Sequence, residues 1–226
     1  MELESIRKEI AMQGIRRIPR KINNLNNVKE HFKAILYEML KVRGEELQWN
    51  LVEPVVEYMI KWTYMIGDDI DFTKGILFKG DTGRGKSFLF KAWKYFLTID
   101  DVMYLHNMEA TMISPIIVNV KKISGEYQDP ATGGYQVIER YGKIRSLMLD
   151  DIGKEDEFSR NYGNKINIIE EIINLREENG LLTFGTTNKE TFNDLYDDRT
   201  VSRMNKLFNV VVIDHDIDFR ITDKRK

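Results

Sequence analysis

The chain has 226 residues, a length that suits one sizeable domain, or one domain with a short appendage. Charged residues account for 31% of it and the formal net charge is -2, which excludes a protein coated with basic residues for non-specific nucleic-acid binding. The sequence has no cysteine, so it forms neither disulfides nor cysteine-ligated metal sites. Any contact with a nucleic acid must therefore come from local basic patches.

The remaining global features argue against a membrane protein and against a histidine-based metal site. No apolar run approaches the roughly 18 residues of a membrane helix, and the acidic start of the chain lacks the apolar core of a secretory signal. His31, His106 and His215 are far apart in sequence, so we do not expect them to ligate a metal. We expect a soluble, cytoplasmic protein that makes no membrane contact.

The first 45 residues predict a polar arm followed by a helix. Four basic residues cluster within residues 16–21, in a polar stretch that is typical of a linker. A helical period of apolar residues follows over residues 28–42. We assign residues 1–45 to an N-terminal segment that could bind a partner, and residues 46–226 to the main domain.

The main domain starts with a helix predicted over residues 50–66 and then alternates between strands and helices. Apolar strands are expected at residues 76–78, 102–105, 146–149, 181–184 and 210–213. Helices are expected from Lys86, from about Met108 and from Ile166, and residues 125–135 resemble a loop. The alternation predicts an α/β fold, with a mostly parallel five-stranded sheet and helices on both faces.

A glycine-rich segment between the first strand and its helix matches the P-loop, or Walker A, pattern G-x-x-x-x-G-K-[ST]. Its glycines allow successive N–H groups to face phosphate oxygens, and the helix that follows adds its N-terminal dipole. Lys86 would contact the outer phosphates, and the Ser87 hydroxyl would ligate Mg²⁺. The residues expected to bind the nucleotide here are Gly80, Asp81, Thr82, Gly83, Arg84, Gly85, Lys86 and Ser87. The sequence therefore predicts a P-loop NTPase that binds ATP and Mg²⁺.

Two later strands end in polar side chains that could complete this site. The strand at 146–149 runs directly into Asp150 and Asp151. We expect Asp150 to be the second protein ligand of Mg²⁺ and Asp151 to be the general base for the attacking water. The strand at 181–184 ends near Asn188, whose amide could orient that water, although a helix cap is an alternative role.

These features, in this order, resemble the AAA+ superfamily, and within it the DnaC/IstB-like clade of helicase loaders and transposition helper ATPases. The resemblance covers roughly residues 46–226. Besides the P-loop, it is carried by the run Leu-Asp-Asp-Ile-Gly over residues 149–153 and by Arg-Thr-Val-Ser-Arg-Met over residues 199–204.

The resemblance implies an ATPase that forms ADP and phosphate and assembles into an ATP-dependent homo-oligomer. It makes Asn188 similar to the sensor-1 residue, and it puts Asp151 where many AAA+ proteins have a catalytic glutamate. Arg203 looks like the arginine finger that reaches the ATP of a neighbouring subunit, and Arg199 is the competing candidate. Arg220 looks like a sensor-2 residue that contacts the nucleotide.

Two hypotheses about the partners of the protein remain open, and both come from the same clade. A DnaC-type loader would act on single-stranded DNA and a replicative ring helicase, whereas an IstB-like helper would bind duplex DNA and a transposase. A P-loop small-molecule kinase is an alternative from another class. Basic and aromatic residues that could contact single-stranded DNA lie between the second and third predicted strands. They are Lys121, Lys122, Tyr127, Tyr135, Arg140, Tyr141 and Lys143.

Overall fold

The computed structural model of the chain describes residues 25–97, 114–155, 159–161 and 164–215. Four sequence-based predictions lie outside these ranges. They concern the basic arm at 16–21, the strand at 102–105, the helix from Met108, and Arg220. Within the ranges that the structure describes, no helix is both long enough and apolar enough to cross a membrane.

The described residues form seven helices and seven strands. In chain order these are α1 (Leu25–Lys41), α2 (Trp49–Tyr64), β1 (Gly75–Lys79), α3 (Lys86–Phe96), β2 (Ile116–Asn119), α4 (Val120–Gln128), α5 (Tyr135–Lys143), β3 (Ser146–Ile152), β4 (Ser159–Asn161), β5 (Asn164–Ile166), α6 (Ile168–Glu178), β6 (Leu182–Thr187), α7 (Asp198–Leu207) and β7 (Phe208–Val212). Helix α4 continues through Gly125, so the loop predicted at 125–135 is wrong in its first part. A side chain at Gly125 would touch nothing, which shows that this turn of α4 faces open space.

Five strands form one sheet in the order β2-β3-β6-β1-β7, and every neighbouring pair is parallel. The predicted α/β fold with a parallel five-stranded sheet is therefore confirmed. Four of the strands coincide with predicted ones, and the edge position beside β3 is taken by β2, which the sequence did not predict. The order places β3, β6 and β1 side by side, so their carboxyl ends meet at one edge of the sheet. Antiparallel β4 and β5 form a separate pair.

One face of the sheet is covered by α1, α2 and α3 around an aromatic core. The rings of Trp62, Trp93 and Phe184 lie with their centroids between 5.1 and 5.6 Å apart, in edge-to-face arrangements. Phe32 of α1 packs on Phe96 of α3 at 5.1 Å. Helix α1 therefore shares the core of the main domain, while the domain boundary at residue 45 stays a prediction.

The other face is covered by α4 to α7 and contains a fully buried arginine, Arg176 of α6. Its guanidinium donates hydrogen bonds to the carbonyl oxygens of Tyr141, Ile144 and Leu182 and to the Thr183 hydroxyl, at 2.7 to 2.8 Å. Burial lowers the pKa of Arg176 to about 9, so the group stays charged at neutral pH. A buried donor must be hydrogen-bonded, and these four acceptors belong to β6 and to the end of α5. The bonds therefore hold α6 against both elements.

We expect Arg176→Met to lower the free energy of unfolding by about 3 kcal/mol, because it leaves four buried acceptors without their donor. Arg140→Met on the exposed side of α5 is the matched control, and it should cost under about 1 kcal/mol because its partner Glu126 is reached at the surface. Urea unfolding followed by circular dichroism measures both variants. Equal losses in the two variants would show that the buried contacts of Arg176 do not stabilise the fold.

Candidate nucleotide-binding site

The predicted P-loop connects the carboxyl end of β1 to the amino end of α3. Gly83 and Gly85 have φ values of 90° and 80°, a left-handed conformation that glycine adopts at little cost. Lys86 Nζ folds back over the loop and donates to the carbonyl oxygens of Gly80 and Asp81, each at 2.6 Å. The strand, the curled loop and the helix thus adopt the arrangement that phosphate binding requires.

A hydrogen-bonded group joins the P-loop to the ends of two neighbouring strands. Ser87 Oγ donates to Asp150 Oδ1 at 2.5 Å, and Thr186 Oγ1 donates to the same oxygen at 2.7 Å. Ser87 opens α3, Asp150 lies near the end of β3, and Thr186 lies near the end of β6. The sequence predicted that Ser87 and Asp150 both ligate Mg²⁺, and the structure brings the two side chains into direct contact.

Asp151 follows directly but points elsewhere, because the backbone changes conformation at this residue. Its φ is 67°, unusual for a residue other than glycine, and the register between β3 and β6 shifts here. The Asp151 N–H donates to Thr186 Oγ1 at 2.8 Å. Its carboxylate accepts from Asn119 Nδ2 at 3.2 Å and pairs with Lys154 Nζ at 3.0 Å. Backbone strain of this kind concentrates at functional sites.

Asn188 lies close enough to the P-loop to donate from Nδ2 to Thr82 Oγ1 at 3.2 Å. Its Oδ1 is buried and has no hydrogen-bond partner among the described residues. Such an atom is costly unless a ligand or water completes it. The contact puts the Asn188 amide beside the P-loop, and its role in orienting the attacking water stays a prediction.

A cavity of about 260 Å³ lies between the P-loop and the first two helices. Leu36 and Leu40 of α1 and Val52 of α2 supply apolar lining, while Arg84 and Lys86 supply cationic lining. Sequence reasoning did not include α1 in the site, because α1 and the P-loop lie some 40 residues apart and only the packing of α1 on α3 joins them. An apolar wall beside a cationic wall suits a nucleotide, which has an apolar base and anionic phosphates.

The donor set next to the P-loop fits Mg²⁺. No cluster of three or more acidic or histidine side chains that could hold a metal alone is found in the part of the chain that the structure describes. Mg²⁺ commonly takes only one or two protein oxygens together with phosphate oxygens and waters. Asp150 and Ser87 present two oxygens side by side, and these are the residues that would hold the ion.

The two candidate finger arginines of α7 differ in their surroundings. Arg203 is 8% exposed; its guanidinium donates to Glu178 at 3.0 Å and lies 3.7 Å from Glu177. These partners are at the end of α6, which runs back from the carboxyl edge of the sheet. Arg203 is therefore held within its own chain, away from the P-loop.

Arg199 is exposed and lies at the beginning of α7. The helix is capped by Asp197, whose side chain accepts from the Thr200 N–H at 2.7 Å. Hydrogen bonds from Thr200 lower the pKa of Asp197. Because α7 follows β6 and returns to the start of β7, its first turn lies on the side of the sheet that carries the P-loop.

The predicted DNA-contacting set lies on α4 and α5, and the structure corrects part of it. Tyr127 and Tyr141 are 4% and 7% exposed and belong to the core, so they cannot stack on bases. Burial, together with its hydrogen bond to Glu126, raises the pKa of Tyr141 to about 12. Lys121 is exposed, and Tyr135 is 63% exposed.

Three of the basic residues in the set have acidic partners on the same two helices. Arg140 and Lys122 pair with Glu126, and Lys143 pairs with Glu139 at 2.8 Å. The surface is therefore less basic than the sequence suggests.

Three residues of the site were not predicted from the sequence. Thr186 lies in the polar end of the strand before Asn188, and Lys154 follows the acidic run without matching a motif. Asn119 ends β2 and also caps α4 by accepting from the Lys121 N–H at 3.0 Å. In the sequence, the position of Asn119 is indicated only by the end of the apolar run at 116–118.

The solved structures that are similar to this chain include three AAA+ ATPases. DnaI is 21% identical with a TM-score of 0.53, and the match covers 77% of this chain and 87% of DnaI. AMPPCP-bound DnaA from Aquifex aeolicus is 18% identical with a TM-score of 0.48, covering 75% of this chain and 48% of DnaA. ORC1 from Aeropyrum pernix, solved in complex with DNA, is 14% identical with a TM-score of 0.44, covering 75% and 46%.

The chain thus spans about half the length of those DnaA and ORC1 chains. The sequence matches no protein-family model, and no curated protein matches it. The likeness to DnaI, together with the sheet order and the P-loop, shows that the chain has the AAA+ P-loop NTPase fold. The resemblance to AAA+ proteins is therefore confirmed at the level of the fold.

We expect Thr186→Val to lower the free energy of unfolding by about 1–3 kcal/mol, because Asp150 loses a donor and the Asp151 N–H loses its acceptor. The Mg²⁺ concentration for half-maximal binding of a fluorescent ATP analogue should rise severalfold. Thr187→Val is the matched control: its buried hydroxyl donates to Ile152 O at 2.8 Å, so it should cost stability without changing the Mg²⁺ requirement. The same Mg²⁺ requirement in both variants would contradict the role given to Thr186.

Proposed function

We propose that the protein binds ATP with Mg²⁺ in the cavity beside the P-loop and hydrolyses it to ADP and phosphate. The observation that carries this proposal is the hydrogen-bonded group of Ser87, Asp150 and Thr186. It puts a hydroxyl and a carboxylate at the mouth of a complete P-loop. The AAA+ fold shared with DnaI supports nucleotide binding.

In this proposal the two walls of the cavity bind different parts of the nucleotide. The base and ribose lie against Leu36, Leu40 and Val52, and the phosphates lie along the N–H groups of the P-loop. Lys86 exchanges the two carbonyl oxygens that it now contacts for phosphate oxygens, a stronger charge-assisted interaction. Mg²⁺, held by Ser87 and Asp150, would neutralise charge on the phosphates.

Hydrolysis requires a base next to the outer phosphate, and Asp151 is our candidate. The oxygen of a water attacks the terminal phosphorus, the bond to the ADP oxygen breaks, and the water proton passes to the Asp151 carboxylate. Asn188, whose Oδ1 is buried beside the P-loop without a partner among the described residues, would orient that water. Arg220 remains a proposed nucleotide contact.

Asp150→Ala and Asp151→Asn test this division of roles. Asp151→Asn should keep ATP affinity but slow turnover by about 10²-fold or more, because a base is lost and a ligand is not. Asp150→Ala should instead raise the Mg²⁺ requirement for binding, and Lys86→Ala should lower ATP affinity. Calorimetry and phosphate release measure these effects. If the two aspartate variants behave alike, or if folded Lys86→Ala binds ATP as the wild type does, the proposal is wrong.

We further propose that the ATPase works in DNA replication as a DnaC-type helicase loader, acting on single-stranded DNA and a ring helicase. The motifs of the clade and the similarity to DnaI over 87% of its length support this. Lys121 and Tyr135, both exposed, are the remaining candidates for DNA contact. An IstB-like role with duplex DNA and a transposase is the competing outcome. Capture of a replicative helicase but not a transposase by the ATP-bound protein distinguishes the two.

The proposed active site is completed by an arginine from a second copy of the chain. The sequence favours Arg203, but the contacts of the described residues favour Arg199, which is exposed where Arg203 is buried and paired with Glu178. A finger supplied in trans needs a head-to-tail contact, which produces rings or open helices. We therefore propose an ATP-dependent homo-oligomer.

Arg199→Ala should bind ATP normally and hydrolyse it about 10³-fold more slowly, because an arginine finger stabilises charge in the transition state. Mixing it with Lys86→Ala, which keeps its arginine, should restore part of the turnover at mixed interfaces. Phosphate release as a function of the mixing ratio is the measurement. Rescue of Arg203→Ala instead of Arg199→Ala would make Arg203 the finger. Full turnover by a wild-type monomer would exclude a finger in trans.

A further inference from the structure

Lys154 is a cation of the site that no motif predicts. Its Nζ lies 3.0 Å from Asp151 Oδ1, and its side chain is 29% exposed. It lines the same cavity as the P-loop residues Lys86 and Ser87. A lysine in this position is close both to the proposed base and to the space that the phosphates would occupy.

The backbone under Lys154 is held in place, so only its side chain has room to move. The Lys154 N–H donates to the Asp151 carbonyl at 3.0 Å, which closes a turn. The Gly153 N–H donates to Glu155 Oε2 at 2.7 Å, and Glu155 also accepts a hydrogen bond from the Tyr196 hydroxyl. Burial raises the pKa of Glu155 and of Tyr196. The turn is thus anchored to the segment before α7.

The Asp151 carboxylate is engaged on both of its oxygens. Oδ1 pairs with Lys154, and Oδ2 accepts from Asn119 at 3.2 Å. In this arrangement the carboxylate has two donors around it. Asn119 is neutral and fixed by its cap of α4, whereas Lys154 has a flexible stem and a compact charge. Lys154 is therefore the contact that can be exchanged.

A bound nucleoside triphosphate would offer the Lys154 ammonium group a second anionic partner besides Asp151. It brings several negative charges into a cavity where the ammonium group otherwise faces one carboxylate. Charge-assisted hydrogen bonds to phosphate oxygens are short and strong, and a partly buried site screens them little. The terminal phosphate of ATP would therefore compete with Asp151 for Lys154.

We propose that Lys154 is a further catalytic residue that contacts the terminal phosphate of ATP. On ATP binding, Nζ leaves Asp151 Oδ1 and donates to an oxygen of that phosphate, where it neutralises charge that develops during transfer. The same movement frees Asp151 Oδ1 to accept a proton from the attacking water. ADP lacks the terminal phosphate, so it leaves the Lys154–Asp151 pair in place. This inference rests on the proposed ATPase function.

Nucleotide affinity in Lys154→Gln tests the contact independently of turnover. The variant should bind a non-hydrolysable ATP analogue about tenfold more weakly, the usual effect of losing one charged hydrogen bond. Its affinity for ADP should stay within about twofold of the wild type, so the ratio of the two dissociation constants changes. Isothermal titration calorimetry on the full chain with Mg²⁺ gives both constants. Turnover should fall, and Lys154→Arg should restore part of both effects.

Lys61→Gln is the matched control, because Lys61 also pairs with a carboxylate, Glu57, at 2.9 Å and is similarly exposed, but on α2. It should leave the ratio of ATP-analogue to ADP affinity unchanged. An unchanged ratio in Lys154→Gln overturns the inference. Faster turnover with unchanged affinity also overturns it, since Lys154 would then only restrain Asp151. Both results leave the ATPase proposal intact, which fails separately if the wild type binds neither nucleotide.

Discussion

The candidate site depends on one hydroxyl group, that of Thr186 near the end of β6. It donates to the Asp150 carboxylate and accepts from the Asp151 N–H, so it fixes both acids of β3 from the neighbouring strand. Because Asp150 also accepts from Ser87, the P-loop is tied to the same point. The sheet order is the underlying constraint: β3, β6 and β1 are adjacent and parallel, so their polar ends meet.

The first two helices contribute to the site through packing rather than through chemistry. Phe32 and Trp62 belong to the same core as α3, which begins at the P-loop. Leu40 and Arg43 bring the end of α1 to the cavity, and the Arg43 guanidinium lies over the Phe88 ring at 4.8 Å. A displacement of α1 would therefore change the cavity, which gives the N-terminal segment a direct physical connection to the proposed nucleotide site.

The loop after β3 connects the proposed base with the proposed finger. Glu155 accepts from the Gly153 N–H and from the Tyr196 hydroxyl, and Tyr196 precedes the cap of α7 that presents Arg199. The Asp197 N–H in turn donates to Glu170 at the start of α6, at 2.9 Å. A change around Asp151 can thus reach α7 through hydrogen bonds and short segments of backbone. In the proposed oligomer, this connection is a route by which the site of one subunit would respond to its neighbour.

The sequence by itself determined the fold class, because the alternation of strands and helices depends on local periodicity. From short motifs it also predicted the P-loop and two Mg²⁺ ligands, Ser87 and Asp150, and these roles stay predictions. It did not predict β2, a four-residue edge strand whose first residue, Ile116, is half exposed, since short edge strands carry little hydrophobic pattern. Only the tertiary structure decided the contacts between distant segments, such as Asn119 with Asp151 and α1 with the cavity. It also decided that Tyr127 is buried, because exposure depends on which helix faces the sheet.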